Sequence, residues 1–84
     1  MDLILFTRKG CHLCERIEDL LACYCPEAVV VDVDSHRQHQ EKYGQRVPVL
    51  QFNGVDILEG NFNEKDFLSE LSGRIRRYRE GQNE

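Results

Sequence analysis

The chain has 84 residues, a mass of 9.8 kDa, a formal net charge of −4 and a pI near 5.3. A domain of this length buries only about 60–65% of the surface of its unfolded chain, which leaves little room for a deep pocket. The acidic balance argues against nucleic acid as a partner. The longest apolar runs, residues 3–6 and 28–31, are too short for a signal peptide or a membrane span of about 20 residues, so we expect a cytoplasmic protein with no membrane partner.

The first part of the chain alternates between strand and helix patterns. Residues 2–7 form a short aliphatic run typical of a buried strand, and apolar residues then recur over 11–24 at the spacing of one helix face. Pro26 ends this helix, because the residue before a proline is disfavoured in helical space. Residues 28–34 are mostly β-branched, which predicts a strand covered on both faces. Together these segments have the length of one βαβ unit with parallel strands.

The second part predicts a short helix, a hairpin and a last helix. Ser35 and Gln38 predict a capping box for the short polar helix. Asn53-Gly54 between two apolar runs predicts a hairpin, since both residues tolerate positive φ. Asn61 or Asn63 is the predicted N-cap of the last helix. Its apolar face consists of Phe67, Leu68, Leu71, Ile75 and Tyr78.

The predicted element order is therefore β-α-β-α-β-β-α. This order corresponds to an α/β fold in which three helices cover a four-stranded sheet with parallel and antiparallel pairs. We assign residues 1–79 to this domain and residues 80–84 to a flexible C-terminal tail.

Cys11 and Cys14 lie at the junction between the first strand and the first helix. Their spacing places both sulfurs on the same side of the first helical turn. Cys11 lies at the helix N-terminus, where unpaired N–H groups and the helix dipole favour a thiolate, whereas Cys14 lies one turn deeper. Arg8 and Lys9 add positive charge, and thiol pKa values in such motifs fall to ~3.5–7.5. Because the thiolate is the nucleophile of thiol–disulfide exchange, this pair is the candidate redox centre.

A second candidate segment, Arg46-Val47-Pro48, precedes the third strand. Proline belongs at a strand start or a sheet edge because it has no N–H to donate. A cis bond before Pro48 would bring this turn close to the first helix, and an ordinary trans proline that opens a strand is the alternative.

These segments together resemble the glutaredoxins and the wider thioredoxin-fold oxidoreductases over residues 2 to 78. The segment from Phe6 to Cys14 resembles the family's strand and redox motif, Val47-Pro48 its cis-proline dipeptide, and Phe52-Asn53-Gly54 its hairpin. The resemblance implies a thioredoxin-like fold of the glutaredoxin type. It also implies that Cys11 is the nucleophile, that Cys14 is the resolving thiol, that Pro48 is cis and that the Val47 backbone pairs with the bound thiol substrate.

Three departures from the glutaredoxin pattern concern glutathione. His12-Leu13 replaces the usual Pro-Tyr between the cysteines, Arg46 replaces a threonine, and Leu58-Glu59-Gly60 stands where the family has Gly-Gly. Glycine permits close approach of a ligand to the backbone, whereas Glu59 brings negative charge towards a tripeptide with two carboxylates. The chain is thus more similar to the small bacterial glutaredoxin-like proteins, and we expect glutathione to be a weakly bound co-substrate.

The candidate substrate-binding residues flank these motifs. Arg8 aligns with a basic residue that faces the glutathione carboxylate in the family, and Arg46 would supply a second guanidinium for an anion. Both arginines also fit a solvated surface. His12 would stabilise the Cys11 thiolate when protonated, or it is simply an exposed helix residue. The full candidate set is Arg8, His12, Arg46, Val47, Pro48, Glu59 and Gly60.

The other two cysteines, Cys23 and Cys25, lie at the end of the first helix. We predict that Cys23 is a buried small hydrophobe and that Cys25 is exposed and oxidisable, with a regulatory disulfide as an alternative. A zinc site would combine the first cysteine pair with these two or with His36 and His39. A helix roughly 15 Å long, at ~1.5 Å per residue, holds the two cysteine pairs apart. We therefore predict no metal, although an iron–sulfur cluster bridged between subunits by Cys11 is a further alternative.

The sequence thus predicts a monomeric, cytosolic thiol–disulfide oxidoreductase that needs no cofactor. Its substrate would be a disulfide-containing protein or a small thiol compound, and an external dithiol reductant would reopen the Cys11–Cys14 disulfide. The alternative is a non-enzymatic thioredoxin-fold module that docks on a partner through the basic C-terminal face around Arg74. The intact C-x-x-C motif favours the enzyme.

Overall fold

A computed structural model describes the backbone of residues 2–82 and the side chains of residues 2–74. In this part of the chain, four strands and three helices follow the predicted order, and one 3₁₀ turn, Val33–Ser35, links the second strand to the second helix. The elements are β1 (Leu3–Thr7), α1 (His12–Tyr24), β2 (Val29–Asp32), α2 (Arg37–Tyr43), β3 (Val49–Phe52), β4 (Val55–Glu59) and α3 (Glu64–Gln82).

The four strands form one mixed sheet in the order β2-β1-β3-β4. β1 and β2 are parallel, whereas β3 is antiparallel to both β1 and β4. Thr7 pairs with Asp32, Phe6 with Val49, and Val49 in turn with Glu59. The ends of β1, β2 and β4 and the start of β3 therefore lie at the same end of the sheet, and the segments that carry the candidate residues all leave from that end.

The second strand differs from its prediction. It is shorter than residues 28–34, it lies at the edge of the sheet, and Val29 and Val30 are 56% and 46% exposed. The strand ends at Asp32, whose Oδ1 accepts the Asp34 N–H at 2.9 Å and so begins the 3₁₀ turn. The prediction of a strand covered on both faces was wrong because a β-branched run indicates strand geometry but not the number of neighbouring strands.

Apolar side chains pack against both faces of the sheet. On one face, α1 and α3 contribute Ile17 and Phe67 to a cluster around Leu5 and Leu50, all of them at most 2% exposed. On the other face, Tyr43 of α2 joins a smaller cluster of Phe6, Val33 and Val49. Burial of each such side chain contributes about 1.5–3 kcal/mol, so these two clusters hold the helices on the sheet.

The two predicted helix caps have different outcomes. The capping box of α2 was wrong: no side chain caps this helix, and the Ser35 hydroxyl donates instead to the Asp32 carbonyl at 2.6 Å. Asn63 caps α3 as predicted. The Asp66 N–H donates to Asn63 Oδ1 at 2.8 Å, and the Asn63 N–H donates to Asp66 Oδ2 at 3.2 Å, which is a reciprocal capping arrangement.

The hairpin between β3 and β4 follows its sequence signal. Asn53 and Gly54 have φ values of 48° and 84°, and positive φ at both central residues is the requirement of a type I′ turn. On α3, Phe67 and Leu71 are buried as predicted, while Leu68 is 37% exposed. The predicted face residues 75 and 78 lie outside the described side chains.

The last helix continues through residues 80–82, which the sequence assigned to the tail, and residues 83–84 lie outside the described part of the chain. The position and flexibility of that tail stay a prediction. Among residues 2–82, none of the helices combines the length and apolar character that a transmembrane helix requires.

Candidate active site

Cys11 and Cys14 are joined in a disulfide whose Cα atoms are 5.2 Å apart. Cys11 is the N-cap of α1, and the Cys14 N–H donates to its Sγ at 3.1 Å. Cys11 is partly exposed, whereas Cys14 is only 1% exposed. The predicted difference in depth between the two sulfurs is therefore confirmed.

The redox loop, residues 8–10, connects β1 to this cysteine pair. Gly10 has a φ of +80°, a region that a residue with a Cβ adopts only with strain. The Cys11 N–H donates to the Arg8 carbonyl at 3.3 Å, which closes the turn. The loop thus reverses the chain direction within three residues and places Cys11 at the first turn of α1.

The Arg8 side chain is occupied by contacts within the protein. Its Nε and Nη2 donate to the Asp34 carboxylate at 3.0 Å each, and its Nη1 donates to the Gly44 carbonyl at 3.1 Å. The hydrogen bonds from Arg8 hold the pKa of Asp34 below its ordinary value, and the same pairing raises the pKa of Arg8. Arg8 therefore ties the redox loop to the segment around α2, and its contact with a substrate anion stays a prediction.

Arg46 is also paired within the protein. Its Nε and Nη2 donate to the Glu59 carboxylate at 3.0 and 3.1 Å, and Nη2 donates to Asp56 at 3.3 Å. Its guanidinium carbon lies 5.2 Å from the centroid of the Tyr43 ring. Hydrogen bonding from Arg46 lowers the pKa of Glu59. The charge of Glu59, which we expected to act against glutathione, is thus largely matched by a direct partner.

The Val47–Pro48 peptide bond is cis. The Gly60 N–H, at a residue with a φ of +73°, donates to the Pro48 carbonyl at 2.9 Å. The Val47 N–H donates to the Tyr43 carbonyl at 3.1 Å. The expected pairing of the Val47 backbone with a substrate would therefore use its carbonyl, because its N–H already has a partner inside the protein.

His12 and a cleft complete the surroundings of the disulfide. The His12 side chain is 94% exposed, and its Nδ1 lies 3.6 Å from Glu15 Oε2. Its effect on Cys11 stays a prediction. A cleft of about 380 Å³, which the sequence analysis missed, lies between the redox loop, α1 and β2. Glu15 and Glu18 are three residues apart and so lie on one side of α1, and this spacing is the sequence signal for the wall of the cleft that α1 forms.

The predictions for Cys23 and Cys25 were both wrong. Cys23 is exposed, whereas Cys25 is 4% exposed and belongs to the core, and both are free thiols. Burial raises the pKa of the Cys25 thiol. The signal that identifies Cys25 is its spacing, since it continues the buried series Ile17 and Leu21 in steps of four residues.

Metal coordination finds no support in the described geometry. Among the side chains of residues 2–74, no group of three or more histidine, cysteine, aspartate or glutamate residues is arranged to hold a metal ion. His39 instead packs edge-on against Phe6, with ring centroids 5.3 Å apart.

A mixed sheet whose first strand leads into a C-x-x-C helix N-terminus defines a thioredoxin-like fold with a cysteine pair of the redox type. The chain belongs to the glutaredoxin-like domain family (DUF836), whose profile matches residues 2–72. It is similar to the X-ray structure of Northeast Structural Genomics target protein XcR50 from X. campestris. The two share 29% identity and a TM-score of 0.74, over 84% of this chain and 96% of that one. No curated protein matches the chain.

Proposed function

We propose that the protein is a thiol–disulfide oxidoreductase in which Cys11 is the nucleophile and Cys14 the resolving thiol. The observation that carries this proposal is the asymmetry of the disulfide. Cys11 is at the helix N-terminus, its sulfur accepts a backbone N–H and the residue is partly exposed, whereas Cys14 is buried. Membership in the glutaredoxin-like family supports the same chemistry.

The reaction transfers two electrons from the reduced cysteine pair to a substrate disulfide. The Cys11 thiolate attacks one substrate sulfur, so that a mixed disulfide forms and the other substrate sulfur leaves as a thiolate that takes up a proton. The Cys14 thiol then loses its proton and attacks the Cys11 sulfur. This second step releases the remaining substrate thiol and forms the Cys11–Cys14 disulfide, which an external dithiol must reduce before the next cycle.

The residues around Cys11 suggest how a substrate is held. In our proposal the Val47 carbonyl accepts a hydrogen bond from the backbone of the bound thiol substrate, because its N–H is already donated to Tyr43. His12, which is almost fully exposed, is free to approach the reacting sulfur. Arg8 and Arg46 act mainly by holding in place the redox loop and the proline loop, residues 44–48 between α2 and β3.

Serine variants of the two cysteines test the division of roles. Cys23 is exposed and would trap substrate on its own, so both variants carry Cys23→Ser. With an oxidised small thiol, Cys14→Ser is expected to accumulate a mixed disulfide on Cys11, because no resolving thiol remains. Cys11→Ser is expected to trap none, because Cys14 is buried. Intact-mass spectrometry followed by peptide mapping measures the adducts, and equal trapping by the two variants would contradict the assignment.

A further inference from the structure

The cleft beside the redox loop extends to Gly10, the residue directly before Cys11. It is lined by Lys9 and Gly10 of the loop, Glu15 and Glu18 of α1, and Val30 and Asp32 of β2, and its volume is about 380 Å³. Gly10 precedes Cys11 directly, so a substrate whose sulfur reaches Cys11 brings the groups next to that sulfur to this cleft. The cleft is thus placed to select among substrates.

The charges around the cleft are unequal. Glu15, Glu18 and Asp32 contribute three carboxylates, and Lys9 contributes one ammonium group. Arg8 also borders the cleft, but its Nε and Nη2 donate hydrogen bonds to Asp34 and its Nη1 donates one to Gly44. The cleft therefore carries an excess of negative charge, which favours cationic groups and disfavours the carboxylates of a small anionic disulfide.

The floor of the cleft belongs to an unpaired sheet edge. Within residues 2–82, β2 is the outermost strand, and no other strand of this part of the chain pairs with its outer backbone N–H and C=O groups. Val30, which lies on this edge and on the cleft floor, is 46% exposed. An extended polypeptide that adds to such an edge gains backbone hydrogen bonds and places alternate side chains on the face where the cleft lies.

We propose that the cleft binds an extended, positively charged polypeptide segment next to the reactive cysteine of a protein substrate. This inference rests on the proposed function and narrows its substrate class from disulfides in general to proteins with lysine or arginine beside the cysteine. The cleft supplies recognition, while the electron transfer still takes place at Cys11 and Cys14.

Three short peptides test the preference. Each contains one cysteine as a mixed disulfide with an aromatic thiol, and the cysteine is flanked by lysines, by serines or by glutamates. The reduced protein attacks the disulfide and releases the aromatic thiol, which absorbs light. At low ionic strength we expect the lysine peptide to react about tenfold faster than the glutamate peptide, the lower end of electrostatic steering effects. At high ionic strength the ratio is expected to approach one.

Variants that replace carboxylates by amides test whether the preference for the lysine peptide originates in the cleft. Glu15→Gln/Glu18→Gln is expected to lower the lysine-to-glutamate rate ratio by about threefold, because it removes two of the three carboxylates to which we attribute the ratio of about tenfold. The matched control Asp19→Asn/Glu27→Gln removes the same number of carboxylates, one from α1 and one from the turn that follows it, but neither residue lines the cleft. The control should keep the ratio of the wild type.

A second pair of variants tests the charge of the cleft lining without removing any carboxylate. Val30→Lys places a cation on the cleft floor and is expected to reduce or invert the preference. Val29→Lys places the same charge on the next residue, which points to the opposite face of the sheet and is 56% exposed. Val29→Lys should leave the preference unchanged.

The outcomes separate this inference from the proposed function. Failure to reduce any of the three peptides would contradict the oxidoreductase itself. Reduction of all three peptides at equal rates would overturn the inference that the cleft recognises the substrate. An unchanged rate ratio in both Glu15→Gln/Glu18→Gln and Val30→Lys would do the same. Neither result would contradict the proposed oxidoreductase function. Equal loss of preference in Val29→Lys and Val30→Lys would also overturn it, because a general charge effect would then suffice.

Discussion

The reactivity of Cys11 depends on features within one turn of the chain. Its sulfur accepts the Cys14 N–H at 3.1 Å, and its position at the start of α1 exposes it to the positive end of the helix dipole. Lys9 is exposed beside it, whereas the charge of Arg8 is paired with Asp34. We therefore propose that in the reduced protein the helix start and its N–H groups are the main stabilisers of a Cys11 thiolate.

We predict that the alkylation rate of Cys11 titrates below the ~8.5 of a free thiol. The measurement is the rate of iodoacetamide labelling against pH in a Cys14→Ser/Cys23→Ser variant, in which buried Cys25 is the other remaining thiol. The same variant unfolded in urea is the control, because its Cys11 lacks the helix. Peptide mapping separates the labelling of Cys11 from that of Cys25, which unfolding exposes. An identical midpoint in the folded and unfolded protein would remove the physical basis for an activated Cys11.

At the scale of elements, Arg46 connects the proline loop to the end of β4. Its bidentate pairing with Glu59 and its contact with Asp56 join the segment before β3 to β4. The Gly60 N–H and the Pro48 carbonyl make a second connection at the same place. A glutathione carboxylate that approaches this surface must therefore compete with Glu59 for the Arg46 guanidinium.

We predict that the wild-type protein is reduced slowly by glutathione and that Glu59→Gly accelerates this step by about two- to fivefold, the range that one exposed ion pair represents. The substitution removes a carboxylate and frees two Arg46 donors. Glu59→Gln, which removes the charge but keeps the Cβ, separates charge from close backbone approach. The measurement is the rate at which glutathione reduces the Cys11–Cys14 disulfide. Rapid reduction of the wild type with no effect of Glu59→Gly would refute the prediction.

At the scale of the whole molecule, two arginines link segments that are distant in the chain. Both do so at the end of the sheet where β1 leads into the cysteine pair. Arg8 reaches Asp34, 26 residues away, and Arg46 reaches Glu59, 13 residues away. Hydrogen bonds from these arginines lower the pKa values of Asp34 and Glu59. A carboxyl group with a lowered pKa in the folded state stabilises the fold above its unfolded pKa, and this contribution is lost as the pH falls through the folded pKa.

We therefore predict that Arg8→Gln destabilises the protein at neutral pH and that its difference from the wild type shrinks below about pH 4, where carboxyl groups of ordinary pKa are protonated. Urea unfolding midpoints at neutral and acid pH measure this difference. Arg37→Gln is the matched control, because Arg37 pairs with Glu41 on the surface of a single helix. A difference between Arg8→Gln and the wild type that is independent of pH would contradict the role of the ion pair.

The features that the sequence alone determined are those that depend on residues close together in the chain. The Asn53-Gly54 turn needs positive φ at two adjacent residues, and the Asn63 cap needs a partner three residues away. The cysteine pair likewise depends on one helical turn. Local backbone preferences and hydrogen bonds of this range are encoded within a few residues, so the element order and the place of the cysteine pair at the start of α1 could be predicted.

Only the tertiary structure decided which groups meet and which remain exposed. It placed β2 at an edge, buried Cys25 rather than Cys23, and paired both candidate anion-binding arginines, Arg8 and Arg46, with carboxylates of their own chain. It also formed the cleft from three segments. The physical reason is that burial and ion pairing depend on how distant segments pack. A β-branched strand or an arginine has the same local preferences whether its partner is another segment, a ligand or water. Those preferences therefore do not determine the partner.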